Sequence, residues 1–394
     1  MEAFIETDIT AAVHRIARSL ASPANSLPAF GYSKGVLGQV LFWSYYAYFA
    51  DDSTAQERVK TLLVESVQRV TQPYAGHSFT KELAEFGIFL EYANANSLVE
   101  LDTNALLTGP DQLLAATMTD ALNRRDFDPY TGALGPGYYF LSRAASQESA
   151  RQVIDQLVVG LHRIAVADEV GHLYWPSQLF GDNRVYLGLS HGSAAILLFL
   201  CRAIELGIQV DLASGMVQRA VGFLLVHQQN YQQIGSFFPD IVHEKPAQSR
   251  LGLCYGDMGV AYSLLRAGQV LNDHLIEEEG LAVFTFSATR RSPAESGIRD
   301  AGILYGASGT ALLFDKAYEL TGQPELDEAA RHWYDRIPDF ATHDNATAGY
   351  QGVFNQHFPH TNVGFMEGIA GIGATLIKST QRDTYSFDEL IWLV

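Results

Sequence analysis

The sequence predicts an all-α fold, an (α/α) toroid of about seven helical hairpins in two concentric layers, with residues 1–394 as one domain. Three observations predict it. A turn of small residues, most often Gly-x-x-Gly, recurs ahead of apolar helical stretches. Those stretches alternate with amphipathic ones, as inner helices buried on most sides and outer helices wet on one face require. Credible strands are few: SFFPD and LYWPS are short and proline-bounded, and read as loops.

The turns come in order. Gly35-Val-Leu-Gly38 precedes QVLFWSYYAYF, Gly132-Ala-Leu-Gly135 precedes PGYYFLSRA, and Gly192-Ser-Ala-Ala195 precedes ILLFLCRAIELG. Gly256-Asp-Met-Gly259, Gly306-Ala-Ser-Gly309 and Gly368-Ile-Ala-Gly371 open three more helices. A decayed copy, Glu82-Leu-Ala-Glu85, fits between the first two. The steps run from 47 to 64 residues, the range of helical-hairpin repeats. Helices end at Gly207, Gly268 and Gly322 on this reading, and second helices run over Asp111–Leu122, Ala150–Ala165 and Glu325–Ile337. Glycine at the turns permits positive φ and close helix starts, so the turns together would line a depression with N–H groups that favour anions.

Composition narrows the function. The formal charge of −18 argues against nucleic-acid binding, which needs Lys and Arg to displace counterions. Cys201 and Cys254 form no C-x-x-C pair, so a disulfide scaffold is not expected and a reducing, cytoplasmic setting is. The start MEAFIETDITAAVHRIARSL has no signal-peptide pattern, and the most apolar run, Ala194 to Cys201, is too short to span a bilayer.

Several turns carry polar residues that packing does not require. Asp128 lies four residues before Gly132, His191 directly precedes Gly192, Arg250 and Tyr255 flank Cys254, and Glu367 precedes Gly368. Each alone has a plain structural explanation: a turn former before Pro129, a packing histidine, a small buried thiol, a helix cap. Under the repeat scheme they converge on one cleft as an acid/base constellation.

The turns GLSHGSA, SRLGLCYGDMG and MEGIAGIG resemble those of the lanthionine synthetase C family, the cyclases of lanthipeptide biosynthesis. The resemblance runs from Gly31 to about Ser379 and includes FGIFLEYANANSLVELDTNALL. It implies a seven-fold α/α toroid that adds Cys thiols of a precursor peptide to dehydrated Ser or Thr, giving thioether rings. It further implies a zinc ion held by Cys, Cys and His. His191 matches the family's SHG histidine, a candidate acid/base, and Asp128 its acidic residue before the third turn. Arg250 matches the arginine that would stabilise enolate charge, Cys254 the first zinc Cys, and Tyr255 the adjacent Tyr.

The sixth turn departs from the pattern. It reads GILYGASG, with Leu304 and Tyr305 where the family has its other Cys and its His. One ligand of three remains, whereas catalytic zinc takes three protein ligands and an open position. His357 and His360, before the seventh turn, could compensate, but NQHFPH has no ligand pattern of its own. No cofactor is therefore expected. The leading expectation is a zinc-independent thioether cyclase. Its catalytic residues are His191, Asp128, Arg250 and Tyr255, and its substrate-binding residues are Cys254, Tyr305 and Glu367. Its partners are the dehydrated precursor peptide and a lanthipeptide dehydratase, with no nucleic acid and no membrane span. A non-catalytic protein that binds the modified peptide or its dehydratase is the alternative. A glycosidase-like enzyme using Asp128 and Glu367 is a third reading.

Four smaller expectations complete the reading. Asp257 caps its helix. The stretch from His274 to Asp300 is a long surface loop, with Arg290 and Arg291 solvated or facing an acidic leader peptide. Glu367 holds a neighbouring repeat through backbone N–H groups. The tail SFDELIWLV, apolar at its very end, tucks into a groove or a neighbour.

Overall fold

The structure, a computed structural model, describes residues 2–74, 78–179, 181, 183–242, 244–355 and 359–393, apart from the side chains of 2–7, 359 and 360. It contains α1 (Glu2–Leu20), α2 (Val36–Phe49), α3 (Ser53–Val70), α4 (Phe79–Ala95), α5 (Thr103–Asn123) and α6 (Leu134–Arg143). There follow α7 (Glu148–Ile164), α8 (Ser193–Glu205), α9 (Val210–Val226), α10 (Tyr231–Ile234), α11 (Asp257–Leu271) and α12 (His274–Ala288). The last four are α13 (Pro293–Ser296), α14 (Ala307–Thr321), α15 (Pro324–Arg336) and α16 (Ile369–Thr380). The only strands among the described residues are β1 (Val166–Ala167) and β2 (Leu173–Tyr174), an antiparallel pair. Part of LYWPS is therefore a strand and not only a loop.

The chain folds as two compact units. One comprises Met1–Phe89 and Ile298–Leu393, the other Leu90–Gly297. In the first unit α16 packs against α1, α2 and α14, and α14 against α15. The C-terminal tail tucks in as expected: Phe387, Leu390 and Ile391 are fully buried, and the Tyr45 hydroxyl donates to the Ser386 carbonyl at 2.9 Å. In the second unit α8 packs on α9 and α11, and α11 on α12. Helices behind the glycine turns are buried on nearly every side, as α8 is from Ser193 to Cys201. Helices such as α7 bury one face, through Ile154, Leu157, Leu161 and Ile164. Each such side chain contributes about 1.5–3 kcal/mol by leaving water.

The turns share one construction, and it corrects the expected role of their glycines. The N–H after Gly35, Gly132, Gly192 and Gly306 bonds back to a carbonyl seven residues earlier. Ser193 bonds to Tyr186 at 3.2 Å, Ala307 to Asp300 at 3.0 Å and Val36 to Ala29 at 3.0 Å. Helix-start donors are thus met by the loop that precedes them, so these turns do not present the open anion-binding ends expected of bare helix N-termini. Gly35, Gly192, Gly306 and Gly368 have extended backbone, φ between −115° and −127°. Glycine is needed there for space, because a Cβ would strike the returning loop. Gly256 alone among the turn glycines adopts positive φ, at 80°.

The decayed turn fails as a turn and succeeds as a brace. Glu82 and Glu85 lie inside α4, and their carboxylates accept from the backbone N–H groups of Phe30 at 2.8 Å and Ser33 at 3.2 Å.

Other expectations are corrected. Residues 274–300 are not a long loop: α12 buries Ile276, Gly280, Val283, Phe284 and Ser287, a helical spacing. Its acidic run stays on the wetter side. A capping box between Ser292 and Glu295 then starts α13. Gly268 sits within α11, which ends instead at Asn272 with φ 53°. α5 is capped by Asp102, whose carboxylate accepts from Ala105 N–H, and runs through Pro110.

Candidate active site

The second unit brings four of the expected residues into one neighbourhood. Asp128, at the third turn, is 1% exposed. One carboxylate oxygen accepts from the N–H groups of Tyr130 at 2.7 Å and Thr131 at 3.2 Å. The other meets His191 Nδ1 at 2.6 Å. Asp128 is thus both the turn former suggested by the following proline and the partner of His191. A carboxylate only accepts, so Nδ1 carries the hydrogen, and in the neutral form of the ring the lone pair falls on Nε2. His191 retains slight exposure, its side chain being 13% accessible against 1% for Asp128.

Three tyrosine rings surround His191: Tyr130 at 5.6 Å, Tyr186 at 5.7 Å and Tyr255 at 5.9 Å between centroids. Burial pushes the Tyr255 hydroxyl far above its ordinary acidity range, and Cys254, Tyr186, Asp240 and Asp128 push it further. It therefore stays a hydrogen-bond donor at any physiological pH. Tyr130 and Tyr186 were not singled out from the sequence. Tyr186 lies where α8 wraps back on its loop, seven residues before Ser193, and that spacing is its only sequence signal.

The fourth and fifth turns touch through backbone. Ser190 N–H donates to the Cys254 carbonyl at 3.2 Å, and a Cβ at Gly188 would stand 2.5 Å from that oxygen. Cys254 is 1% exposed. Cys201 is equally buried, in α8, and burial raises its thiol to about 12. Arg250 stands at the start of the fifth turn, close enough to Asp240 to offset part of the effect of burial on that carboxyl. The next residue is pinned by its N–H, which donates to the Ser296 carbonyl at 2.7 Å.

Asp257 and Arg290 reverse two expectations. Asp257 does not cap α11. Its carboxylate accepts from Phe237 N at 3.0 Å and Phe238 N at 2.8 Å, and pairs with Arg290 at 3.1 Å. Arg290 is neither solvated nor facing a peptide. It is 3% exposed, donates to the carbonyls of Ser249 and Glu295, and ties the α12–α13 connection to the fifth turn.

Tyr305 and Glu367 belong to the first unit. Tyr305 packs its ring 4.9 Å from that of Phe354. Glu367 is buried; its carboxylate accepts from Asn355 at 2.6 Å and lies 3.7 Å from the Lys34 ammonium. Burial, the largest influence on it, pushes the Glu367 carboxyl above its ordinary pKa. Glu367 does hold a neighbouring segment, through side chains and not through the backbone N–H groups expected. Main-chain bonds from Ile303 and Leu304 to the Met366 carbonyl, each 3.0 Å, join the sixth and seventh turns instead.

The donor chemistry does not fit a three-ligand zinc site. Cys254 supplies one thiol, Leu304 supplies no lone pair, and Tyr305 offers only a phenol. Among the described residues no group of three or more His, Cys, Asp or Glu is placed to hold a metal ion. His357 lies outside the described residues, as does the His360 side chain. No helix of the described residues is long and apolar enough to cross a membrane.

A histidine held by a buried aspartate thus lies among three phenol rings at the glycine turns of paired helices. The family described as Lanthionine synthetase C-like protein matches residues 29–391, and the chain belongs to that family. No curated protein matches the chain by sequence. Among solved structures it is similar to nisin cyclase, with TM-score 0.74, 14% identity, and coverage of 100% of this chain and 98% of that one. The likeness is one of fold, and the fold class it shows is the expected all-α (α/α) toroid class. A sugar epimerase from a ruminal bacterium aligns at TM-score 0.43 and 13% identity, over 96% of this chain and 98% of that one.

Proposed function

We propose that this chain is a peptide cyclase that adds Cys thiols to dehydroalanine or dehydrobutyrine, forming thioether rings without zinc. The observation that carries the reading is the Asp128–His191 pair beside Tyr255. Nε2 of His191 removes the thiol proton of a substrate Cys, whose ordinary pKa near ~8.5 leaves little thiolate at neutral pH. Asp128 fixes the tautomer and stabilises the imidazolium that results. The thiolate attacks the β-carbon, the C=C π pair moves toward the carbonyl, and charge develops on oxygen. Tyr255 donates a hydrogen bond to that oxygen and Arg250 supplies positive charge nearby. Cys254, buried at its turn, keeps the fourth and fifth turns in register. Family membership and the nisin cyclase fold support this reading, with a dehydrated precursor peptide as substrate, a lanthipeptide dehydratase as partner and the cytoplasm as setting.

The test is ring closure by chelator-treated protein on a synthetic peptide carrying one dehydroalanine and one Cys, read by alkylation of the remaining thiol. Closure above the uncatalysed rate, lost in His191→Ala, is expected. Thiols that stay fully alkylatable until zinc is added would overturn the metal-free mechanism. Peptide binding that survives His191→Ala, with no rate above background under any condition, would favour a non-catalytic binding protein, the reading that Leu304 suggests.

A further inference from the structure

Resting on that cyclase reading, we propose that Tyr130 is a positioning residue for the reaction: its ring packs beside the His191 imidazole and keeps Nε2 aimed at the substrate thiol.

A histidine tied by one hydrogen bond is only partly fixed. The Asp128 contact at 2.6 Å anchors Nδ1. The ring can still swing about that anchor, because the torsion that turns an imidazole has a broad minimum. Such a swing moves Nε2, which lies away from the anchor, more than it moves Nδ1. A general base works within hydrogen-bond reach of the proton it takes, and a misplacement of about 1 Å can cost about 10²-fold in rate. Packing beside the imidazole is what limits the swing.

Three rings lie beside His191, and they are not equivalent. Tyr255 has its own task as the donor to the enolate oxygen. Tyr186 is 4% exposed, and its carbonyl closes the fourth turn by accepting from Ser193 N–H at 3.2 Å, so its ring belongs to the packed interior. Tyr130 is only part-buried, so the core does not depend on it. Its ring nevertheless stands 5.6 Å from the imidazole between centroids, the shortest of the three separations, at an interplanar angle of 51°. Aromatic pairs attract at centroid separations of about 4.5–7 Å.

The local chain gives that ring a firm base. Pro129 fixes its own φ. Asp128 N–H donates to Asp126 Oδ1 at 3.1 Å, and Tyr130 N–H to Asp128 Oδ1 at 2.7 Å. Gly132 N–H closes on the Asp128 carbonyl at 2.9 Å, and Ala133 N–H on the Asp126 carbonyl at 3.0 Å. The carboxylate that anchors the imidazole therefore also anchors the main chain from which the Tyr130 ring projects. One turn supplies both restraints on His191, the first at a nitrogen and the second beside the ring.

The experiment compares wild type, Tyr130→Phe and Tyr130→Ala on a synthetic peptide containing Cys and dehydrobutyrine. Both substitutions keep the N–H at position 130, so Asp128 retains its backbone donors. Read out are kcat, KM, the thermal melt, and NMR relaxation of the His191 Cε1–H group in isotopically labelled protein, its signal assigned by its loss in His191→Ala. Tyr130→Ala is expected to lower kcat about 10–100-fold with KM and melt unchanged, and to lower the order parameter of the His191 ring. Tyr130→Phe, which keeps the ring, is expected to restore both kcat and order. An imidazole as ordered in Tyr130→Ala as in wild type would overturn the assignment. So would Tyr130→Phe as slow as Tyr130→Ala, a raised KM at unchanged kcat, or a melt lowered in proportion to activity; each leaves the cyclase reading standing. A wild-type chain no faster than the uncatalysed reaction would overturn the cyclase reading, and the relaxation comparison would still uphold or overturn the hold of Tyr130 on His191.

Discussion

The Asp128 carboxylate accepts from His191 Nδ1 at 2.6 Å while its other oxygen holds the Tyr130 and Thr131 N–H groups. The turn that orients the carboxylate and the carboxylate that orients the imidazole are therefore one unit. Asp128→Asn preserves shape but offers Nδ1 a choice of amide donor or acceptor, freeing the other tautomer. Ring closure should fall about 10²–10⁴-fold, as for loss of a general base, with thermal unfolding little changed. Timed thiol alkylation beside a melting curve measures both; a melt lowered in proportion to activity would show a structural role only.

Tyr255 is held protonated by burial and by negative neighbours. A donor that never ionises in the working range leaves no mark on the pH profile. Tyr255→Phe should reduce kcat about tenfold, the worth of roughly 1.4 kcal/mol of transition-state stabilisation, without moving either limb of the profile. A shifted alkaline limb in the variant would mean that the phenol itself titrates.

Gly188 lies where the fourth turn crosses the fifth. An added Cβ would be 2.5 Å from the Cys254 carbonyl oxygen and 3.1 Å from Tyr255 Cα, and neither backbone atom can yield cheaply. Gly188→Ala should cost about 1–3 kcal/mol in stability and more in activity, since it separates His191 from Tyr255. Urea denaturation with parallel kinetics would reveal this; activity retained at full stability would contradict the packing.

Asp257 and Arg290 are almost fully buried together. Asp257→Asn leaves the guanidinium without its carboxylate and should destabilise the protein by about 3–5 kcal/mol. Burial raises the Asp257 carboxyl from 3.8 to about 6, against the pull of Arg290. The folded chain therefore keeps this proton between about pH 4 and 6 while the unfolded chain loses it. The contribution of this group to stability falls as pH rises through that window and is constant outside it. Denaturation at a series of pH values should show a less negative or more positive slope between pH 4 and 6 in Asp257→Asn than in wild type; identical slopes would refute the shifted acidity.

Much of this was legible in the amino-acid order. The repeating glycine turns marked the helices buried on nearly every side, because a turn that wraps back on its own helix has no room for a Cβ. Asp128, His191, Arg250 and Tyr255 were visible as polar residues at positions where small ones would serve packing. The acidic run of α12 misled, since three glutamates mask a buried stripe that only the spacing of Ile276, Gly280 and Phe284 discloses.

The sequence by itself determined the helical class, the periodic turns and which of them carry polar side chains, because each follows from local spacing and local sterics. Tertiary structure alone decided the partners. Asp128 meets His191 across 63 residues of chain, and Asp257 meets Arg290 across 33. Ile241 comes beside Tyr186 through a bridge that no local pattern announces. Side-chain hydrogen bonds and burial act over a few ångströms in space, whatever the separation along the chain, so the chemistry of this site became readable only once the loops were folded against one another.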